Sequence, residues 1–199
     1  MAQVRILLYD DVEVLDCCGP FEVFTTAARV ALGRGSATAP FNVVTIAAAA
    51  PTVRARGGLT LTASHTLQGH PRLDILVVPG GLTHETERKE KLINWLVEAN
   101  RDAVVTASVC TGAFLLATAG LLDGREATSH LEDVDELEQR FPQISVRRGL
   151  RWVDEGRIVT SAGISAGIDM SLHVVRRHEG EELAKATAHQ MEYDWRPIE

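Results

Sequence analysis

The chain lacks any apolar run approaching the roughly 20 residues that a bilayer-spanning helix needs. Its first ten residues, Met1 to Asp10, turn acidic at once and hold no secretory core of about 7–15 apolar residues behind basic ones. Basic residues are outnumbered: 20 Lys and Arg against 27 Asp and Glu leave a net charge of −7. With no Lys/Arg cluster, that balance makes a poor binder of phosphate backbones, so neither nucleic acid nor membrane is an expected partner. Cysteine is scarce. Cys17, Cys18 and Cys110 are odd in number, two are adjacent and cannot easily bridge, and no CxxC pair occurs. This argues against a disulfide scaffold and a zinc ribbon and for reduced thiols in the cytoplasm. The histidines fit no metal pattern either: His84-Glu85 lacks the second histidine of HExxH, and His173 and His178 lie off one helical face. No repeat, low-complexity segment or linker interrupts the 199 residues.

What is present is a core. The chain is 45% hydrophobic and 24% charged, the composition of an ordinary globular domain, and its length suits one domain over 1–199. Short apolar runs over 4–9, 41–47, 73–78 and 103–109 read as buried strands, with a minor strand over 59–62. Gly19-Pro20 reads as a helix start, with Phe21, Phe24, Ala28 and Ala31 on the packed face. Further helices are expected over 85–100, with a Glu87–Lys91 pair, over 111–119, over 131–141, carrying Leu131, Val134, Leu137 and Phe141, and from 168 to the end. Residues 151–161 read as a hairpin around Glu155-Gly156. Trp95, Trp152, Met170 and Met191 are packing residues in this scheme. Strands apolar throughout, alternating with helices, predict an α/β fold with a mostly parallel sheet covered on both faces.

One segment carries chemistry. Val104-Val-Thr-Ala-Ser-Val-Cys110-Thr-Gly-Ala113 runs from strand into cysteine into helix, the plan of a nucleophile elbow. A thiol there meets the positive end of a helix, which predicts a lowered pKa and makes Cys110 the most reactive thiol. A buried cysteine acting as a small hydrophobe fits the same pattern. Pro79-Gly80-Gly81, at the end of a core strand, can free backbone N–H groups for an oxyanion, or can be a tight turn. Asp16, ahead of Gly19-Pro20, can be a proton carrier or a helix cap.

Together, Asp16-Cys-Cys-Gly-Pro-Phe-Glu-Val-Phe24, Asp74-Ile-Leu-Val-Val-Pro-Gly-Gly81, Ser108-Val-Cys-Thr-Gly112 and Ala162-Gly-Ile-Ser-Ala-Gly-Ile-Asp169 resemble the ThiJ/PfpI superfamily, of the class I glutamine amidotransferase-like type. Within it the chain is most similar to the isonitrile hydratase branch and to the amidotransferase-like domains of some transcription regulators; the helix-turn-helix pair of those regulators is not expected here. The resemblance implies a flavodoxin-like three-layer α/β/α sandwich, a homodimer, and a cofactor-free, metal-free reaction on a small molecule. It makes Cys110 the nucleophile, Asp16 its acidic partner, and Thr111 and Gly81 the oxyanion-pocket positions. Gly80, His130, Ile164 and Ser165 are pocket candidates. Thr111 replaces the histidine of the peptidase branch, which argues against peptidase activity. The implied activity is hydration of an isonitrile to an N-substituted formamide. The alternative is a non-catalytic ligand-sensing or redox stress-response module; a glyoxal-scavenging relative would typically carry glutamate in place of Asp16. Cys17 and Cys18 depart from the family pattern, as small core residues or as resolving thiols for oxidised Cys110.

Overall fold

The computed structural model describes residues 1–70, 72–195 and 197. In chain order the elements are β1 (Ala2–Leu8), α1 (Val14–Gly33), β2 (Phe41–Ala47), β3 (Thr52–Arg54), β4 (Thr60–Thr62), β5 (His65–Thr66) and β6 (Ile75–Val78). Then come α2 (His84–Glu87), α3 (Glu90–Asp102), β7 (Val105–Val109), α4 (Gly112–Thr118), β8 (Glu126–Ala127), α5 (Val134–Arg140) and β9 (Ser145–Val146). The chain closes with β10 (Trp152–Asp154), β11 (Ile158–Ser161), α6 (Ala166–Glu179) and α7 (Glu181–Gln190).

Seven strands form the central sheet in the order β10-β11-β7-β6-β1-β2-β5. All neighbours pair in parallel except β10 and β11, the expected hairpin. The middle strands β6, β7 and β11 are buried at every residue, which is why they read as unbroken apolar runs rather than alternating ones. Helices α1, α6 and α7 pack together against the sheet, and α2, α3 and α4 form a second group against β6 and β7, completing an α/β sandwich. The 59–62 strand is β4, paired antiparallel with β3.

Four local expectations are corrected. Helix α1 starts at Val14, not at Gly19-Pro20, and runs through Pro20. A proline ring disfavours helical geometry in the preceding residue by clashing with its Cβ, and Gly19 has none. Asp16, Cys17 and Cys18 therefore sit in the first turns of the helix rather than before it, and Phe21 is half exposed. The 85–100 helix is two, α2 and α3, and Glu87 pairs with Arg140, not Lys91. The reason is placement: the Arg140 guanidinium lies over the Phe114 and Phe141 rings, where the nearly buried Glu87 carboxylate meets it. The 131–141 helix starts at Val134, because Asp133 N–H closes a turn on the His130 carbonyl (2.9 Å) and leaves Leu131 exposed. The C-terminal helix starts at Ala166 and is broken at Gly180 (φ 95°), and α7 ends at Gln190; residues 196, 198 and 199 of the expected helix lie outside the described residues.

The elbow depends on one glycine. A Cβ on Gly112 would lie 2.1 Å from the Val78 carbonyl oxygen. Gly112→Ala is expected to lower stability by about 1–3 kcal/mol or more in denaturant unfolding, as overpacking against backbone does. Gly33→Ala, at the end of α1 with nothing within 4 Å, is the control and should be neutral or slightly stabilising.

Candidate active site

The site forms where β1, β6 and β7 end at their carboxyl edges, the usual ligand position of an open parallel sheet. After β1 the chain turns at Asp11 (φ 64°) and runs back along the turn that follows β6. Val12 bridges Gly81, Glu13 N–H donates to the Gly80 carbonyl (2.8 Å), and Leu82 N–H donates to the Asp11 carbonyl (3.1 Å). That strap delivers the first turn of α1, with Asp16, to the elbow. Gly80 and Gly81 are required because a Cβ on Gly80 would meet Thr111 N at 2.6 Å and Asp16 Oδ2 at 2.9 Å, and one on Gly81 would meet the Asp11 carbonyl at 2.2 Å.

Cys110 has φ 56°, a left-handed conformation unusual for a side-chain-bearing residue and the mark of a nucleophile elbow. Its backbone is held from both sides. The N–H donates to the Ser161 carbonyl (3.1 Å), and the carbonyl accepts from Ser129 Oγ (3.0 Å). Asp16 is fully buried. Its Oδ2 accepts from Gly80 N–H (3.1 Å), whereas Oδ1 has no partner with regular hydrogen-bond geometry. Burial pushes the carboxyl up from 3.8 to about 7, against the Gly80 hydrogen bond and the nearby Cys110 thiol, which hold it down. The carboxyl is thus near half-protonated at neutral pH, and burial rather than repulsion by a thiolate is the main cause.

Two expectations fail at this point. Cys110 is not a low-pKa thiol: burial, and then the Asp16 charge, push it up to about 12, outweighing hydrogen bonds from Thr111 that favour the thiolate. Seven residues of α4 do not offset that loss of water. Nor is the Gly81 N–H free for an oxyanion. It donates to Thr111 Oγ1, which donates in turn to the Gly81 carbonyl, both at 2.9 Å. The Gly80 N–H is likewise taken by Asp16.

A pocket of about 200 Å³ opens over Cys110 and Thr111. Gly81, His130 and Ile164, the last with φ 51°, line it as well. Ser165 does not; it is exposed and accepts from Arg151 (3.3 Å). The sequence reading missed other lining residues, among them Arg56, His84, Phe114 and Asp133. Only His84 had a local signal, its place three residues after Gly81. Cys17 is buried, and its sulfur lies 3.9 Å from that of Cys18. Among the described residues no cluster of three or more His, Cys, Asp or Glu could hold a metal ion, and no helix is long and apolar enough to cross a membrane.

Fold and site together define a class: an α/β sandwich whose cysteine sits on a strained strand–helix elbow beside a buried carboxyl. The chain belongs to the DJ-1/PfpI family, whose model matches residues 2–177. It is similar to the isonitrile hydratase of Pseudomonas putida, 31% identical over 192 residues, 96% of this chain and 78% of the hydratase. It is also similar to the HTH-type transcriptional regulator CdhR of Pseudomonas aeruginosa, 36% identical over 69% of this chain. There the chain spans only 41% of the relative's length. A crystal structure of a ThiJ/PfpI family protein from Pseudomonas syringae superposes with a TM-score of 0.85 at 27% identity, covering 100% of this chain and 77% of that one.

The Asp16 environment has a measurable cost. A carboxyl whose folded pKa exceeds its unfolded value loses nothing below pH 3.8, and the penalty grows until pH passes about 7. Asp16→Asn removes the charge and keeps the shape. Its stability advantage over the parent should widen by about 2–3 kcal/mol between pH 5 and pH 8 in denaturant unfolding. A pH-independent gap would mean that Asp16 is not held near pH 7.

Proposed function

We propose that this protein is a cofactor-free, cysteine-dependent hydratase of a small electrophilic molecule, acting on isonitriles. One observation carries the reading: a fully buried carboxyl, that of Asp16, stands beside the cysteine of a strained elbow, and burial pushes it up to about 7. Similarity to the hydratase along nearly the whole chain supports it, and a pocket of about 200 Å³ over the elbow gives a small molecule a route to Cys110.

The chemistry needs one proton on the Asp16–Cys110 pair. Below about pH 7 both groups are protonated; between about 7 and 12 the pair holds a single proton, on sulfur at rest. In that state the Asp16 carboxylate takes the thiol proton as sulfur bonds to the terminal isonitrile carbon. The new carboxyl then delivers the proton to that carbon, leaving a thioimidate on Cys110. Water adds to the thioimidate carbon, the C–S bond breaks, and an N-substituted formamide leaves. Thr111 supports the thiolate that forms in passing through its backbone N–H, while its hydroxyl proton stays on the Gly81 carbonyl. Gly80 and Gly81 act as spacers that admit Asp16 and Thr111 to the elbow rather than as oxyanion donors.

Similarity to the regulator favours a second reading, a ligand-sensing module that binds without turnover. A redox sensor fits less well, because oxidation follows thiolate character and burial suppresses it at Cys110.

The deciding experiment is a turnover screen against isonitriles, nitriles, amides and 2-oxoaldehydes, with Cys110→Ala as the blank. An isonitrile should be hydrated, with kcat/KM rising through about pH 7 to a plateau, and Asp16→Asn should lower kcat about 10²- to 10⁴-fold. Saturable binding with no turnover of any compound would select the sensing module. The homodimer that the family resemblance implies, and the cytoplasmic location read from the few unpaired cysteines, stand as proposals beside this one. Sedimentation velocity at micromolar concentration should give a dimer, and a clean monomer would refute it.

A further inference from the structure

Asp16 must be a carboxylate before it can take the thiol proton, yet its surroundings discourage that charge. Burial and Glu13 raise the carboxyl, while the Gly80 N–H, the Cys110 thiol and Arg56 hold it down. Among the described residues the Gly80 N–H, at 3.1 Å from Oδ2, is the one donor with regular geometry. The aim and strength of that single N–H therefore set how readily Asp16 gives up its proton.

We infer that Tyr9 is a positioning residue for Asp16, acting through the Pro79–Gly80 peptide group that lies between them, a role that rests on the hydratase reading above. Tyr9 directly follows β1 and Pro79 directly follows β6, and these two strands pair in parallel. The phenol hydroxyl donates to the Pro79 carbonyl at 2.8 Å. That carbonyl and the Gly80 N–H belong to one planar peptide unit. Phenol, peptide and carboxylate are thus hydrogen-bonded in series, with Tyr9 1% and Asp16 0% exposed at its two ends.

Two effects pass along the series. A donor on the carbonyl polarises the amide and strengthens its N–H as a donor, the more so where water is excluded. The same bond fixes the rotation of the peptide plane. Gly80 cannot brace that plane itself, because the site requires it to lack a Cβ and glycine is the most permissive residue. The phenol takes no proton-transfer part. Burial, and then the charges of Asp16, Cys110, Cys17 and Glu87, push it well above its usual range, so it keeps its proton and only donates. The other groups that face Asp16 are Glu13 and Cys17 on its own segment, Cys110 from the elbow and Arg56 from the turn after β3, and none of them changes when the hydroxyl is removed.

Tyr9→Phe keeps the ring and deletes the donor. The Asp16 carboxyl should rise by about half a unit to one unit. With n-butyl isonitrile as the probe, the rise of kcat/KM should move up by the same interval. Turnover near pH 6 should then fall about three- to tenfold, and parent and variant should converge above about pH 9, where both carry the carboxylate. A lowered plateau at an unmoved midpoint is what a purely structural role would give, and it overturns the inference. Two readouts need no substrate. ¹³C NMR of the Asp16 carboxyl carbon should show the same upward move, and in the parent the Pro79 carbonyl carbon should titrate with the Asp16 midpoint. In denaturant unfolding, the cost of Tyr9→Phe should grow between pH 5 and pH 9 in the parent, because a carboxyl raised further is penalised further once ionised, and should be independent of pH in an Asp16→Asn background. A Pro79 carbon that ignores the titration overturns the inference whether or not the variant folds. A parent that hydrates no isonitrile overturns the hydratase reading instead, and the carbon midpoints then judge Tyr9 alone.

Discussion

Everything at the site follows from how closely three backbone segments approach. The turn after β6, the elbow after β7 and the strap before α1 meet with no side-chain volume between them. Alanine at 80, 81 or 112 would place a methyl carbon within 2.6 Å of backbone atoms of a neighbouring segment. Three glycines thus act as one constraint. They let Asp11–Glu13 lie against Gly80–Leu82, which sets the start of α1, which in turn sets Asp16 on the buried side of Cys110. A side chain at any of them would push the carboxyl away from the sulfur before it altered the chemistry of either.

The same closeness sets the electrostatics. Packing that excludes side chains also excludes water, and both Asp16 and Cys110 lose hydration that their charged forms need. The carboxyl rises to about 7 and the thiol to about 12, so the resting pair at neutral pH is a thiol beside a partly ionised acid. A solvent-exposed thiolate would be the more reactive nucleophile toward any electrophile. A buried thiol that ionises only as its proton passes to a neighbour is quiet until a small molecule fills the pocket. Strain at Cys110 and an uncompensated Asp16 Oδ1 are costs of the kind that collect at functional sites.

The sheet was legible because its strands are buried on both faces: residues 75–78 and 105–109 carry β-rich runs that no surface helix would carry. The elbow was legible because Cys110-Thr111-Gly112 follows such a run directly. What failed were readings from local chemistry where tertiary contacts decide. Gly19-Pro20 looks like a helix start, but packing of Gly19 against Ile168 carries the helix straight through it. Glu87 and Lys91 have helical spacing, but Arg140 on the aromatic rings outcompetes Lys91. The N-terminus of α4 favours the Cys110 thiolate, but burial, which cannot be read from a strand–helix junction, outweighs it. Arg56 reaches the pocket from a short 3-10 turn and Asp133 from the N-cap of α5, neither with a motif of its own, so nothing local marked them.

Thr111 shows how one substitution in a family pattern redistributes work. A histidine directly after the cysteine can serve as its base. Threonine cannot, and here its hydroxyl is fully committed, accepting from the Gly81 N–H and donating to the Gly81 carbonyl. That reciprocal pair ties the elbow to the turn after β6 and holds the glycine approach closed. The side chain next to Cys110 is therefore spent on structure, and in the proposed reaction proton transfer falls to groups outside the elbow. Asp16 meets the sulfur as a fully buried group that does not line the pocket, whereas His130 and Asp133 line it.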